Sequence, residues 1–113
     1  MTNALLLADP EPGSRAVLAR RLEREGFEVL GAAPDQAVAL APHADLALVS
    51  STEICRRLRD RGGPSAEREL PVIVLSAEAS AAERVLAFQH GADDVVPAPF
   101  HYDELVGLIS HIR

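Results

Sequence analysis

Leu70-Pro71-Val72-Ile73-Val74-Leu75 is a short apolar run rich in β-branched residues and bounded by polar segments, which is the pattern of a buried strand. Working outward, Leu46-Ala47-Leu48-Val49 upstream and Val95-Val96 downstream read as two further strands. Ala4-Leu5-Leu6-Leu7-Ala8 is continuous and apolar, as a strand covered on both faces must be. Phe27-Glu28-Val29-Leu30 completes five.

Helical patterns fill the intervals. Asp9-Pro10-Glu11-Pro12 breaks the first strand, and Pro12 suits the first turn of a helix running to about Glu25, with Val17, Leu18 and Leu22 inward and Gly26 as its stop. Pro34 to Ala41 is a short alanine-rich helix carrying Val38 and Leu40. Glu53 to Arg61 is a helix with Ile54 and Leu58 inward, and Gly62-Gly63-Pro64-Ser65 starts a flexible connection. Ser80 to His90, ended by Gly91, turns Val85 and Phe88 inward. His101 to Ile112 places Leu105, Ile109 and Ile112 at core spacing. Five strands alternating with five helices predict one α/β domain over residues 1–113, a parallel sheet with helices on both faces. In such sheets sites form at the C-terminal ends of the strands.

Composition narrows the function classes. A net charge of -6 disfavours direct grip on nucleic acid by this domain. No apolar run is long enough to span a bilayer, and the N-terminus lacks the positive start of a secretory signal. Cys55 is the single cysteine, which excludes an internal disulfide and fits a reducing cytoplasm. All eleven basic side chains are arginine, so there is no lysine nucleophile, Schiff base or P-loop lysine. His43, His90, His101 and His111 have no metal-ligand spacing.

Several pieces in order resemble a response-regulator receiver domain, most closely the OmpR/PhoB branch. They are Leu6 to Pro12, Leu22 to Val29, Cys55-Arg56-Arg57-Leu58-Arg59, Leu70 to Ala77, Gly91-Ala92-Asp93-Asp94-Val95-Val96-Pro97-Ala98-Pro99-Phe100, and Glu104-Leu105. The resemblance covers nearly the whole chain. It implies a CheY-like, flavodoxin-like doubly wound (βα)5 fold with strand order 2-1-3-4-5, and a role in two-component signal transduction and transcription regulation.

The same resemblance exposes what has changed in the family's phosphorylation site. Asp9 fills the first of its two magnesium-binding acidic positions, but Pro10, which has no ligand atom, fills the second. Asp9 and Glu11 form either a residual metal site or, as the favoured alternative, the cap of a helix N-terminus. The phosphoacceptor position at the end of the third strand holds Ser50, a far weaker nucleophile than a carboxylate without an activating base. Only Ser51 and Thr52 separate it from Glu53, so the loop that supplies a metal ligand is short. The switch hydroxyl position is Ser76, read either as that switch or as a turn cap, and the switch aromatic position is Val95. The family's lysine position is Ala98, and Ala98-Pro99 is a cis peptide if the resemblance holds. These defects describe a pseudo-receiver with no metal, no cofactor and no enzymatic activity.

Function then falls to contacts. The resemblance implies homodimerisation through the fourth helix, fifth strand and fifth helix, with Leu86, Asp93, Asp94, Val95, Glu104 and Leu108 on that face. Leu86 and Leu108 stand where arginine partners are usual, which suggests an apolar patch, although Leu108 also lies beside the core stripe of its helix. Arg56, Arg57, Arg59 and Arg61 either meet an acidic partner or, the more ordinary case, form a solvated face paired with local acids. A covalently attached DNA-binding domain would lie beyond residue 113. The competing class is a sensor that takes a small molecule in the vacated strand-end cleft.

Overall fold

The computed structural model describes residues 4–60, 70–76 and 80–112. The expected connection at Gly62-Gly63-Pro64-Ser65, the end of the third helix at Arg61, Ala77 and the side chain of Ile112 lie outside what it describes. The chain runs β1 (Ala4–Ala8), α1 (Pro12–Arg24), β2 (Glu28–Ala32), α2 (Pro34–Leu40), a 3-10 turn (Ala41–His43), β3 (Leu46–Val49), α3 (Thr52–Asp60), β4 (Val72–Ser76), α4 (Ala81–Gln89), β5 (Asp94–Pro97) and α5 (Tyr102–Ile112). The strands form one parallel sheet in the order β2-β1-β3-β4-β5.

Alternation along each strand divides the interior into two layers. Leu5, Leu7, Leu46, Leu48 and Ile73 point toward α1 and α5, where Leu22, Leu105 and Ile109 meet them. Leu6, Ala8, Ala47, Val49, Val72 and Val74 point the other way, against Ala37, Ile54, Cys55, Leu58 and Ala87. Leucine fills the first layer and alanine and valine much of the second, so α2, α3 and α4 meet a flatter, smaller-residue face.

Helix ends follow their local chemistry. Glu11 caps α1 by accepting from Gly13 N–H at 3.3 Å, Ser80 caps α4 by accepting from Glu83 N–H at 3.1 Å, and Pro12 and Pro34 open α1 and α2. Gly26 and Gly91, at φ of 97° and 93°, end α1 and α4 in the left-handed region that glycine adopts without a Cβ penalty.

Three side chains expected inside are outside. Val17 is 62% exposed because Leu18 and Leu22 take the inner face of α1. Val85 and Phe88 are 55% and 46% exposed because α4 meets the sheet through Ala87, the only residue of that helix fully buried. Sequence periodicity favoured the bulky residues; the valine- and alanine-rich layer favours a small one at the contact.

Candidate functional site

Register brings the altered positions together. Ala8 pairs with Val49, so Asp9 and Ser50, the next residue on each strand, emerge side by side, tied by Ser50 N–H donating to Ala8 C=O at 3.1 Å. Ser76 pairs with Pro97, and Ala98 follows, its N–H donating to Ser76 C=O at 2.7 Å. The Ala98-Pro99 bond is cis. Asp9, Ser50 and Ala98 line one cleft of about 380 Å³ at the C-terminal ends of β1, β3 and β5. Its remaining polar contributor is Ser14, and Leu7, Ala8, Leu18, Leu75 and Phe100 supply apolar walls.

Among the described residues, Asp9 is the only charged one in that lining. Its Oδ1 accepts Glu11 N–H at 2.9 Å, and its backbone carbonyl accepts Arg15 Nη1 at 2.6 Å. Glu11 is committed to the cap of α1 and does not line the cleft. Pro10 is exposed and Ser76, at 3% exposure, is buried at the end of β4; neither lines the cleft. Ser51 Oγ accepts Ile54 N–H at 3.3 Å and caps α3 directly after Ser50. The described residues do not fit the family's magnesium site: among them one carboxylate faces the cleft, and no group of three or more His, Cys, Asp or Glu side chains is gathered to hold a metal.

The expected contact face is only partly at the surface. Leu86 is 44% exposed, Glu104 is exposed and Asp94 is half-buried. Val95 is a correction: at 5% exposure it packs in the α2–α4 layer beside its β4 partner Val74, because alternation along β5 turns it inward. Leu108 is half-buried and packs in the opposite layer, as the core stripe of α5 requires. Asp93 is engaged within the chain. Its Oδ2 accepts Val72 N–H at 2.8 Å and Arg59 Nη2 at 3.2 Å, and Arg59 also donates to Gly91 C=O at 2.9 and 3.1 Å.

The arginines of α3 follow the solvated reading. Arg56 bridges Glu53 at 2.6 Å and Asp60 at 2.7 Å, and Arg57 reaches Glu53 at 3.4 Å. The hydrogen bond from Arg56 holds Glu53 down at about 2. Burial pushes the Cys55 thiol up, and Cys55 Sγ donates to His90 C=O at 3.5 Å, so it is a core group and not a nucleophile.

Residue patterns gave no sign of a second groove, of about 480 Å³, between α1 and α5. It shares Ser14, Leu18 and Phe100 with the strand-end cleft and adds Val17, Arg21 and Tyr102. Arg21 stacks over the Tyr102 ring at 4.1 Å, and the Tyr102 hydroxyl is buried without a hydrogen-bond partner. Arg21 and Tyr102 lie on different helices far apart in sequence, so no local spacing announces the pair.

Comparison with known proteins agrees with this fold. No protein-family model matches the chain. It is 33% identical over 116 residues to the response regulator MprA of Mycobacterium tuberculosis strain H37Rv, covering 94% of this chain and 48% of that protein. The chain therefore spans about half the length of the relatives it matches. Among solved structures, the chemotaxis response regulator CheY4 of Vibrio cholerae superposes with a TM-score of 0.84 at 21% identity, with all of both chains covered. The BeF3-activated receiver domain of Klebsiella pneumoniae RstA gives 0.81 at 19% identity, covering 96% of this chain and 97% of that one.

Proposed function

Because this chain is a CheY-like receiver domain related to the MprA response regulators, we propose that it acts in two-component signalling as a receiver that no longer takes phosphate. One observation carries the reading. The cleft where the family's phosphoryl chemistry would occur gathers Asp9, Ser50 and Ala98, so among the described residues it has one carboxylate, a hydroxyl at the acceptor position and no cation. Phosphoryl transfer concentrates negative charge, which a metal and a fixed cation must balance. Neither balancing group has residues to supply it. A backbone NMR titration with magnesium and then beryllofluoride, the stable mimic of an aspartyl phosphate, tests this. We expect no saturable shift at Asp9, Ser50, Ser76 or Ala98, and such shifts would overturn the reading.

Signalling then proceeds through protein contacts on the α4 side. The outward half of α4 carries Ala81, Ala82, Val85, Leu86, Phe88 and Gln89, an uncharged patch bordered by the exposed Arg84. A second copy of this chain suits such a face, because an uncharged apolar patch meets itself across a twofold axis without like-charge repulsion. The surface is thus narrower than α4-β5-α5 as a whole and centres on Val85, Leu86 and Phe88. The double change Leu86→Arg with Phe88→Arg is expected to give a folded monomer by sedimentation at concentrations where the parent chain dimerises. A dimer of unchanged strength would rule this patch out. Were an output domain attached to this one, for which a DNA-binding domain is the proposed case, such a dimer would set its spacing.

A further inference from the structure

The geometry points to the strand-end cleft as a binding site for a small hydrophobic amine, a protonated nitrogen on an aromatic or branched apolar body. The proposal rests on the reading that this cleft has left phosphoryl chemistry, and it assigns the cleft a new charge preference. Three features support it.

The first is charge. Among the described residues Asp9 is the only charged side chain in the lining, and Ala98 supplies no cation there. An anion entering here would meet a carboxylate with no cation among the described lining residues, Arg15 being held outside on the Asp9 backbone carbonyl at 2.6 Å, whereas an ammonium group gains a charge-assisted hydrogen bond. One Asp9 oxygen serves Glu11 N–H at 2.9 Å, and a carboxylate has acceptor capacity beyond a single bond. The hydroxyls of Ser50 and Ser14 provide further acceptors for an ammonium, which has three donors to place.

The second is the wall. Leu18, Leu75 and Phe100 make the cleft mainly apolar, and about 380 Å³ lies in the range that encloses small organic ligands. A hydrated metal ion gains nothing from such walls; a ring gains burial and stacking on Phe100. The third is continuity. The cleft shares Ser14, Leu18 and Phe100 with the α1–α5 groove of about 480 Å³. A body longer than one ring has a place to extend without reaching the α4 patch.

Tryptamine is the probe, with indole-3-propionate as the matched anion carrying the same ring. In a 1H-15N NMR titration of the full chain, tryptamine is expected to shift Asp9, Ser14, Ser50 and Phe100 saturably. Indole-3-propionate is expected to bind at least about tenfold more weakly. Asp9→Asn keeps an acceptor for Glu11 N–H while removing the charge, and is expected to weaken tryptamine by about tenfold. Ala98→Lys, at an exposed position, places a cation in the cleft and is expected to abolish binding. Equal binding of the two probes, no saturable shift, or tryptamine binding indifferent to both substitutions would overturn the proposal. Saturable beryllofluoride shifts would overturn the underlying reading instead, so the two failures are separately visible.

Discussion

The two ends of the sheet use aspartate in opposite ways. At the N-terminal ends of the strands, two aspartates perform the same task twice. Asp45, just before β3, exchanges hydrogen bonds with the start of β1: its Oδ2 accepts Ala4 N–H at 2.9 Å and its own N–H donates to Ala4 C=O at 2.7 Å. Asp93, just before β5, does the same to β4, accepting Val72 N–H at 2.8 Å and donating to Val72 C=O at 2.8 Å. A strand's first N–H has no ladder partner on that side, and a carboxylate one residue before the neighbouring strand reaches it. At the C-terminal ends Asp9 is the carboxylate that lines the cleft among the described residues, and it stabilises its own turn. At the N-terminal ends the carboxylates serve the backbone of a neighbouring strand, whereas Asp9 at the C-terminal ends serves only its own turn.

Substitutions at the two ends measure that asymmetry. Asp93→Ala strands the Val72 N–H and releases Arg59, and is expected to cost about 1–3 kcal/mol in urea unfolding. Asp9→Ala frees a solvent-accessible amide that water satisfies, with an expected cost under about 1 kcal/mol. Equal costs would break the comparison. Gly91 sharpens it next. An added Cβ would lie 3.0 Å from Arg59 Nε and 3.1 Å from its Cγ at a φ of +93°, so Gly91→Ala is expected to cost about 1–2 kcal/mol from backbone strain, plus disturbance of the Arg59 contacts. Gly26→Ala meets nothing within 4 Å and carries the strain alone, so it should unfold later in denaturant than Gly91→Ala.

The smallest effect belongs to α3. Glu53, held at about 2 chiefly by its hydrogen bond from Arg56, is depressed in the folded chain. Such a group contributes stability above its ordinary range, and that contribution fades as pH falls toward 2. Because Glu53 is exposed, the contribution is screened. We expect its carboxyl resonance to titrate near pH 2 at low salt and to move upward in high salt, with no resolvable change in Tm for Glu53→Gln. A titration indifferent to salt would show that the pair is not governed by solvent-exposed electrostatics.

Much of the scaffold was legible because its signals are local. Apolar runs such as Ala4–Ala8 and Leu46–Val49 match the observed strands, and Pro12, Gly26 and Gly91 mark helix ends by backbone chemistry that needs no partner. Of the candidate site, the positions of Asp9, Ser50 and Ala98 could be read from motif order, and strand register then placed them in one cleft. The inward faces of Val17, Val85 and Phe88 were misread because periodicity reports which side of a helix is apolar, not which side meets the sheet.

By itself the sequence determined the parallel five-stranded sheet and the approximate places of the helices, which follow from short-range patterns and residue chemistry, while its resemblance to receiver domains singled out Asp9, Pro10, Ser50 and Ala98. Only the tertiary structure decided that Ala87 carries the α4 contact, that Val95 and much of Leu108 are interior, that Asp93 serves Val72 and Arg59, and that Arg21 stacks on Tyr102. Each depends on which residues distant in sequence arrive opposite one another. That is set by sheet register and by the volume available between layers, and no local pattern encodes either.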